Sequence, residues 1–406
     1  MRRNILIVSI ILILATGLLA SEQPYVILIS FDGFRWDYPQ RSITPNLDTL
    51  AIQGVSALSL QPVFPSKTFP NHYSIISGLY PEHHGIIQND FVDPVTQKHY
   101  KVGNQDAVRN SWWYRGEAFW ETAERQGVTC ASYFWPGSEV DLPYRRSTYV
   151  EYYEHDRPYE KRVEGVLEWL QLPEMKRPHF ITLYFDATDT EGHRHGPNSP
   201  ETDAAIRRLD DTLGLLCTGL KRLNLYQQTN IIVVSDHGMA EVANDHIIRM
   251  DTILKGKKYE TSGLGAFMMI DCSPETRDDI YRTLKDNALH YDVYLREEVP
   301  EAYHFSNSHL ILPIVIMPHI GWAAVTNTIQ PYIYKYHTHG DHGYDNFHMD
   351  MHGIFYACGP AFRNAYKTGT LQNIDIYPLL CDIFNIFPHE PIDGNLERIE
   401  QILKVK

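Results

Sequence analysis

Two apolar runs in this chain of 406 amino acids stop on the same kind of residue. Tyr25-Val26-Ile27-Leu28-Ile29-Ser30-Phe31 ends at Asp32-Gly33, and Asn230-Ile231-Ile232-Val233-Val234-Ser235 ends at Asp236-His237-Gly238. Strand side chains alternate between two faces, so a strand can be apolar throughout only where both faces are covered, as in a parallel sheet flanked by helices. A third run, Phe180 to Phe185, reaches Asp186 in the same way. Apolar residues recur at helical spacing from Ser199 to Leu223. These signals predict an α/β fold with a mostly parallel central sheet, and ligands of such sheets collect at the carboxyl ends of the strands, where the acidic residues fall. No repeat or low-complexity linker marks a boundary, so residues 21–406 read as one domain. The stretch from about 259 to 325 carries strand and helix signals of its own and reads as a small inserted sub-lobe.

The formal charge is -14, the isoelectric point is near 5.8, and no basic block follows Arg3, which argues against a protein that coats nucleic acid. Acidity suits a protein that concentrates cations. Two arginines and an apolar run from Ile5 to Ala20 make residues 1–20 a secretory signal with cleavage expected after Ala20. Leu18 is a poor minus-three residue, so an uncleaved anchor is the alternative; after cleavage no stable membrane insertion is expected. Five cysteines are an odd number, and Cys358 with Cys381 is the candidate pair. No Asn-x-Ser/Thr sequon occurs, which favours a periplasmic or secreted bacterial protein over a glycosylated ectodomain.

Chemistry-bearing residues fall in four separate places: Asp32, then Asp189 and His193 four apart in ATDTEGHRHG, then Asp236-His237, and His342 in HTHGDHGYDN. Singly, the Asp-Gly and Asp-His-Gly sequences are turns and an isolated histidine is a satisfied polar residue. Together, three aspartates and three histidines suffice for two divalent ions with open positions, and the lack of cysteine ligands points to a catalytic site. Spacing alone leaves competitors: His195 for His193, Asp186 for Asp189, and His337, His339 and Asp341 for His342. Two such ions need a nucleophile beside them. The stretch PSKTFPNHYSIISGLYPEHHG from Pro65 offers Thr68, although Ser66 or Thr68 could equally cap a helix.

These motifs carry a resemblance. FDGFRWDY from Phe31, FPSKTFPNHYSIISGLYPEHHGIIQN from Phe64, WPGSE from Trp135, TDTEGHRHGP from Thr188, SDHGM from Ser235 and GDHGYDN from Gly340 stand in family order over nearly all of the chain after the signal. The sequence resembles the nucleotide pyrophosphatase/phosphodiesterase family of the alkaline phosphatase superfamily. The resemblance implies an alkaline phosphatase-like fold and two Zn2+ per chain, one on Asp189, His193 and His342, the other on Asp32, Asp236 and His237. Thr68 would lie between them, attack phosphorus and form a covalent phosphothreonine, with its own backbone N–H and the Asn89 amide facing the charged oxygens. Phe69 and Tyr153 would sandwich a base in a pocket also lined by Trp135 and Glu139, with Tyr149 and Tyr152 as alternatives to Tyr153.

A phosphomonoester carries one more negative charge than a diester, and Thr68 has Lys67 and Phe69 beside it and no arginine, so a diester fits better. The expected function is hydrolysis of nucleotide pyrophosphate or phosphodiester bonds of a small-molecule substrate, releasing nucleoside 5′-monophosphates. A choline-type lysolipid or glycerophosphodiester hydrolase of the same family is the alternative, and the intact Thr68 disfavours a non-catalytic zinc-binding protein.

Overall fold

The computed structural model describes residues 23–326, 338–389 and 391–405. The expected signal segment and His337 lie outside the described residues. Among the described residues no helix is long and apolar enough to cross a membrane.

One eight-stranded sheet organises the chain. In chain order its strands are β1 (Tyr25–Phe31), β2 (Val55–Ala57), β3 (Cys130–Tyr133), β4 (Tyr149–Glu151), β5 (Phe180–Phe185) and β6 (Thr229–Val234). A second sheet of four strands follows, β7 (Glu260–Ser262), β8 (Met268–Asp271), β9 (Tyr291–Leu295) and β10 (Ile314–Pro318), before β11 (Phe355–Cys358) and β12 (Tyr366–Thr368) complete the first. The large sheet runs in the order β12-β2-β11-β6-β1-β5-β3-β4. All its pairings are parallel except those of β11, which runs against β6 and β2. This is the mixed α/β sheet that the apolar runs predict.

Its strands are apolar throughout because both faces are covered. Ile27, Ile29 and Phe31 of β1 join one core, together with Leu209, Leu213 and Leu216 of the long helix Pro200–Arg222. Val26 and Leu28 enter the other core with Ile75 and Ile76 of helix α1 (Thr68–Ser77). The two-faced burial also decides the cysteines. All five are free thiols. Cys358 packs in the first core and Cys381 in the second, so the sheet stands between the residues that the sequence offered as a pair.

The four-stranded sheet is antiparallel. Met268, Ile270, Ile314 and Ile316 face a local core with Ile280 and Leu284 of helix Pro274–Asp286, while Phe267, Met269, Val315 and Met317 face the second core of the main sheet. Alternation along its strands thus fuses this small sheet to the main body.

Candidate metal centre and substrate pocket

Five neighbouring parallel strands, β6, β1, β5, β3 and β4, deliver the site from their carboxyl ends. Asp32 follows β1, and Asp236 and His237 follow β6. After β5 the chain turns into helix α2 (Ala187–His195), which places Asp189 and His193 one turn apart. Gly33, at φ +64°, lets the loop after β1 press against that helix: a Cβ here would come within 2.9 Å of the Asp189 Cα.

Three histidines are oriented by the backbone. His193 donates from Nδ1 to the Gly340 carbonyl at 2.8 Å, His237 to that of Gly238 at 2.8 Å and His342 to that of Ser66 at 2.7 Å. A carbonyl only accepts, so in each neutral ring the lone pair sits on Nε2. Those Nε2 atoms face carboxylates. His237 Nε2 lies 3.1 Å from Asp236 Oδ2 and 3.3 Å from Asp32 Oδ1, while Asp189 Oδ1 lies 3.4 Å from His193 Nε2 and 3.5 Å from His342 Nε2. The same three oxygens, Asp32 Oδ1, Asp189 Oδ1 and Asp236 Oδ2, are buried without a hydrogen-bond partner.

Acceptor facing acceptor in a buried site is unfavourable unless a cation lies between them. The spacing fits one: ligands about 2.0–2.2 Å from a tetrahedral zinc stand roughly 3.3 Å apart. Burial, with Asp236 and Asp189 nearby, pushes the Asp32 carboxyl well above the usual range, because neighbouring carboxylates in a buried site disfavour one another's charge.

Groups whose ligand atoms lie within 4.8 Å of one another are Asp32, Asp236 and His237; Asp189, His237 and His342; and His193, Asp341 and His342. The first is one of the two expected sets. The second expected set is not itself one of these groups: its members meet at Asp189 Oδ1, and the stacked rings of His237 and His342, 3.5 Å apart, join the sets into one cluster.

Of the described competitors, Asp186, His195 and His339 are turned elsewhere, and Asp341, although close to His193 and His342, is engaged by other partners. Asp341 pairs with Lys67 at 3.2 Å and accepts the backbone N–H of His342 and of Ala266. Asp186 accepts from Tyr159 and pairs with Arg162. His195 pairs with Glu191, and both His195 and His339 line a separate cleft.

Thr68 opens helix α1, whose N-cap is Lys67 with no side-chain cap. Neither hydroxyl caps this helix. Ser66 donates to the Tyr344 carbonyl, and Thr68 Oγ1 turns to His237, 3.2 Å from its Nε2. Asn89 Oδ1 accepts from the Phe69 N–H at 3.0 Å, and Asn89 lines the cavity over Thr68.

The cavity over Thr68 has a volume of about 330 Å³ and is lined by Phe69, Asn89, Trp135, Glu139 and Tyr153 as well as by Asp32, Asp189, His193 and His342. Among the described residues no arginine lines it. A larger cleft of about 530 Å³ runs along the outer side of α2, but it holds none of the clustered ligand atoms, and we take the smaller as the site because the unpaired carboxylates converge there.

The three tyrosines separate clearly. Tyr153 lines the cavity, its backbone N–H bound by Glu139, which also pairs with Arg109 at 3.1 Å. Tyr149 donates to the Lys176 carbonyl, and Tyr152 lies under the Arg109 guanidinium outside the cavity.

The sequence reading missed Tyr184, whose hydroxyl donates to Asp32 Oδ2 at 2.5 Å from the cavity wall. Its signal was present: Tyr184 is the polar-tipped residue in the β5 run, on the face opposite Phe185. Val102, Gln105 and Val108 also line the cavity, and nothing in their local sequence marks them.

A family model described as Type I phosphodiesterase / nucleotide pyrophosphatase matches residues 26–345. The chain belongs to this family. To a pyrophosphatase/phosphodiesterase of Schizosaccharomyces pombe, itself uncharacterized, it is 37% identical over 390 residues, across 92% of this chain and 79% of the relative. Human ectonucleotide pyrophosphatase/phosphodiesterase family member 1 is 36% identical over 394 residues; there 94% of this chain spans only 42% of the relative. Murine ectonucleotide pyrophosphatase/phosphodiesterase 5, solved as an inactive threonine-to-alanine variant in complex with AMP, superposes with a TM-score of 0.88 at 32% identity, covering 94% of this chain and 100% of that one. The fold of this phosphodiesterase family member is that of its solved relatives, and its strand ends carry groups of residues that could hold a metal ion.

Proposed function

We propose that the protein is a two-zinc phosphodiesterase that hydrolyses nucleotide pyrophosphate or phosphodiester bonds through a phosphothreonine at Thr68. The observation that carries this reading is a threonine hydroxyl at a helix N-terminus, 3.2 Å from the His237 imidazole, in a cavity with aromatic walls and, among the described residues, no arginine. Asp32, Asp236 and His237 would hold one ion and Asp189, His193 and His342 the other. The ions, when bound, supply Lewis acidity that lowers the hydroxyl pKa and neutralises the leaving oxygen.

The chain supplies the rest. Thr68 Oγ1 forms the new bond to phosphorus as the bond to the leaving oxygen breaks, and water later cleaves the phosphothreonine to release a nucleoside 5′-monophosphate. The Thr68 N–H and the Asn89 amide donate to the non-bridging oxygens, where the dipole of α1 also favours negative charge. Phe69 and Tyr153 flank the base, while Glu139 fixes the turn that carries Tyr153. The AMP held by the murine relative supports a nucleotide as the substrate.

Kinetics on a nitrophenyl ester of thymidine 5′-monophosphate, with glycerophosphocholine as competitor, test the reading. Turnover of the nucleotide ester with release of the monophosphate is expected. Preferential hydrolysis of glycerophosphocholine would replace the nucleotide reading with the choline-type one. From the expected signal segment we also propose a periplasmic or secreted protein: N-terminal sequencing of exported protein should begin at Ser21, and retention of residues 1–20 would indicate an anchor instead.

A further inference from the structure

We propose that His72 is a positioning residue that sets the nucleophile and one ligand carboxylate from a single ring; the inference rests on the functional reading above. His72 lies on α1 one turn after Thr68 and is fully buried. Its Nδ1–H donates to the Thr68 carbonyl at 2.9 Å. The same nitrogen stands 3.2 Å from Asp236 Oδ2, an oxygen with no hydrogen bond of its own. Because Nδ1 carries the proton, Nε2 accepts, and the Ser30 hydroxyl of β1 meets it at 2.8 Å.

The ring is also held edge-on between Trp135 and Tyr184, at centroid distances of 5.1 and 5.3 Å. It therefore has one orientation. Seen from Thr68, Nδ1 holds the carbonyl of the nucleophile's own residue, while the Ser30 hydroxyl only steadies the far side of a ring that Trp135 and Tyr184 already confine. Seen from Asp236, it supplies a partial positive charge behind the carboxylate and restricts its rotation. Partners of this kind behind metal ligands typically change affinity or activity by about 10–100-fold.

Asn and Gln divide the two nitrogens: an Asn amide nitrogen reaches the position of Nδ1, and that of Gln reaches the position of Nε2. His72→Asn, His72→Gln, His72→Ala and Ser30→Ala would be compared on the full chain, with zinc affinity from titration of the metal-stripped protein and kcat and KM on the nitrophenyl nucleotide ester. Expected are losses of about 10–100-fold in kcat for His72→Ala and His72→Gln at a KM within about twofold, recovery to within about fivefold for His72→Asn, and a small effect for Ser30→Ala.

Zinc affinity should follow the same order. Equal losses for Asn and Gln, or a loss carried by KM alone, would overturn the proposal. Should His72→Ala not fold, the Asn-to-Gln comparison decides by itself. Should the wild type bind zinc but turn over no nucleotide ester, the functional reading fails while the zinc titrations still decide whether His72 positions Asp236.

Discussion

The two halves of the site are built to different tolerances. On the β6-β1-β5 side, Asp32, Asp236, His237 and His342 are at most 3% exposed, Asp189 and His193 are half-buried, and each of the three histidines is fixed by a backbone carbonyl. On the β3-β4 side, Tyr153 is 41% exposed, and what holds its turn is one carboxylate, Glu139, itself shared with Arg109. The first half places charge against charge, where an error of half an ångström changes the chemistry. The second places rings beside a ligand, where a ring can shift and still stack. Function divided in this way predicts that lesions on one side act on every substrate and lesions on the other only on nucleotides.

The largest effect is expected from Thr68→Ala, which should lower kcat by at least about a thousandfold on any diester while leaving zinc content unchanged. Retention of a tenth of wild-type turnover would remove the covalent step. Next come His342→Ala and Asp236→Ala, for which zinc stoichiometry and rate should fall together, the rate by more than about a hundredfold. A variant that stays fully metallated, by atomic absorption, is not a ligand variant.

Tyr153→Ala should lower kcat/KM for a nucleotide ester by about five- to a hundredfold, the equivalent of one stacking face at roughly 1–3 kcal/mol, and leave bis-nitrophenyl phosphate nearly unaffected. Equal losses on both substrates would dissolve the distinction between the halves. Smallest of all, Tyr152→Ala should change neither substrate by more than about twofold, since that ring packs under Arg109 outside the cavity. A nucleotide-selective loss there would move the pocket wall.

The same division explains what could be read from the sequence. Asp32, Asp236 and His237 are legible because each stands directly after an apolar run long enough to identify a buried strand, whose carboxyl end is where ligands of such sheets collect. Asp186 against Asp189 is a matter of helical phase: the latter shares a face with His193 only once α2 exists, and the former is then turned to Tyr159 and Arg162. The aromatic side resists such reading. Tyr149, Tyr152 and Tyr153 lie within one strand and its exit, and which ring enters the cavity depends on where Glu139 catches the backbone.

Local chemistry misled in two places. Ser66 and Thr68 have the composition of a helix cap, but tertiary partners took both hydroxyls. Cys358 and Cys381 satisfy pairing arithmetic, but arithmetic carries no information about opposite faces of a sheet.

The free thiols give the ligand cluster a second consequence. With no disulfide among its five cysteines, this chain has no covalent tie between distant segments. Its proposed ligands come from the end of the first strand, the middle of the chain and the loop at His342, so an ion seated among them would act as a removable staple that closes very long loops and cannot form in the unfolded chain. Metal supply would then govern resistance to heat and proteolysis as well as rate. Chelation should lower the melting temperature of wild type and of Thr68→Ala alike, separating the staple from the reaction that it also serves.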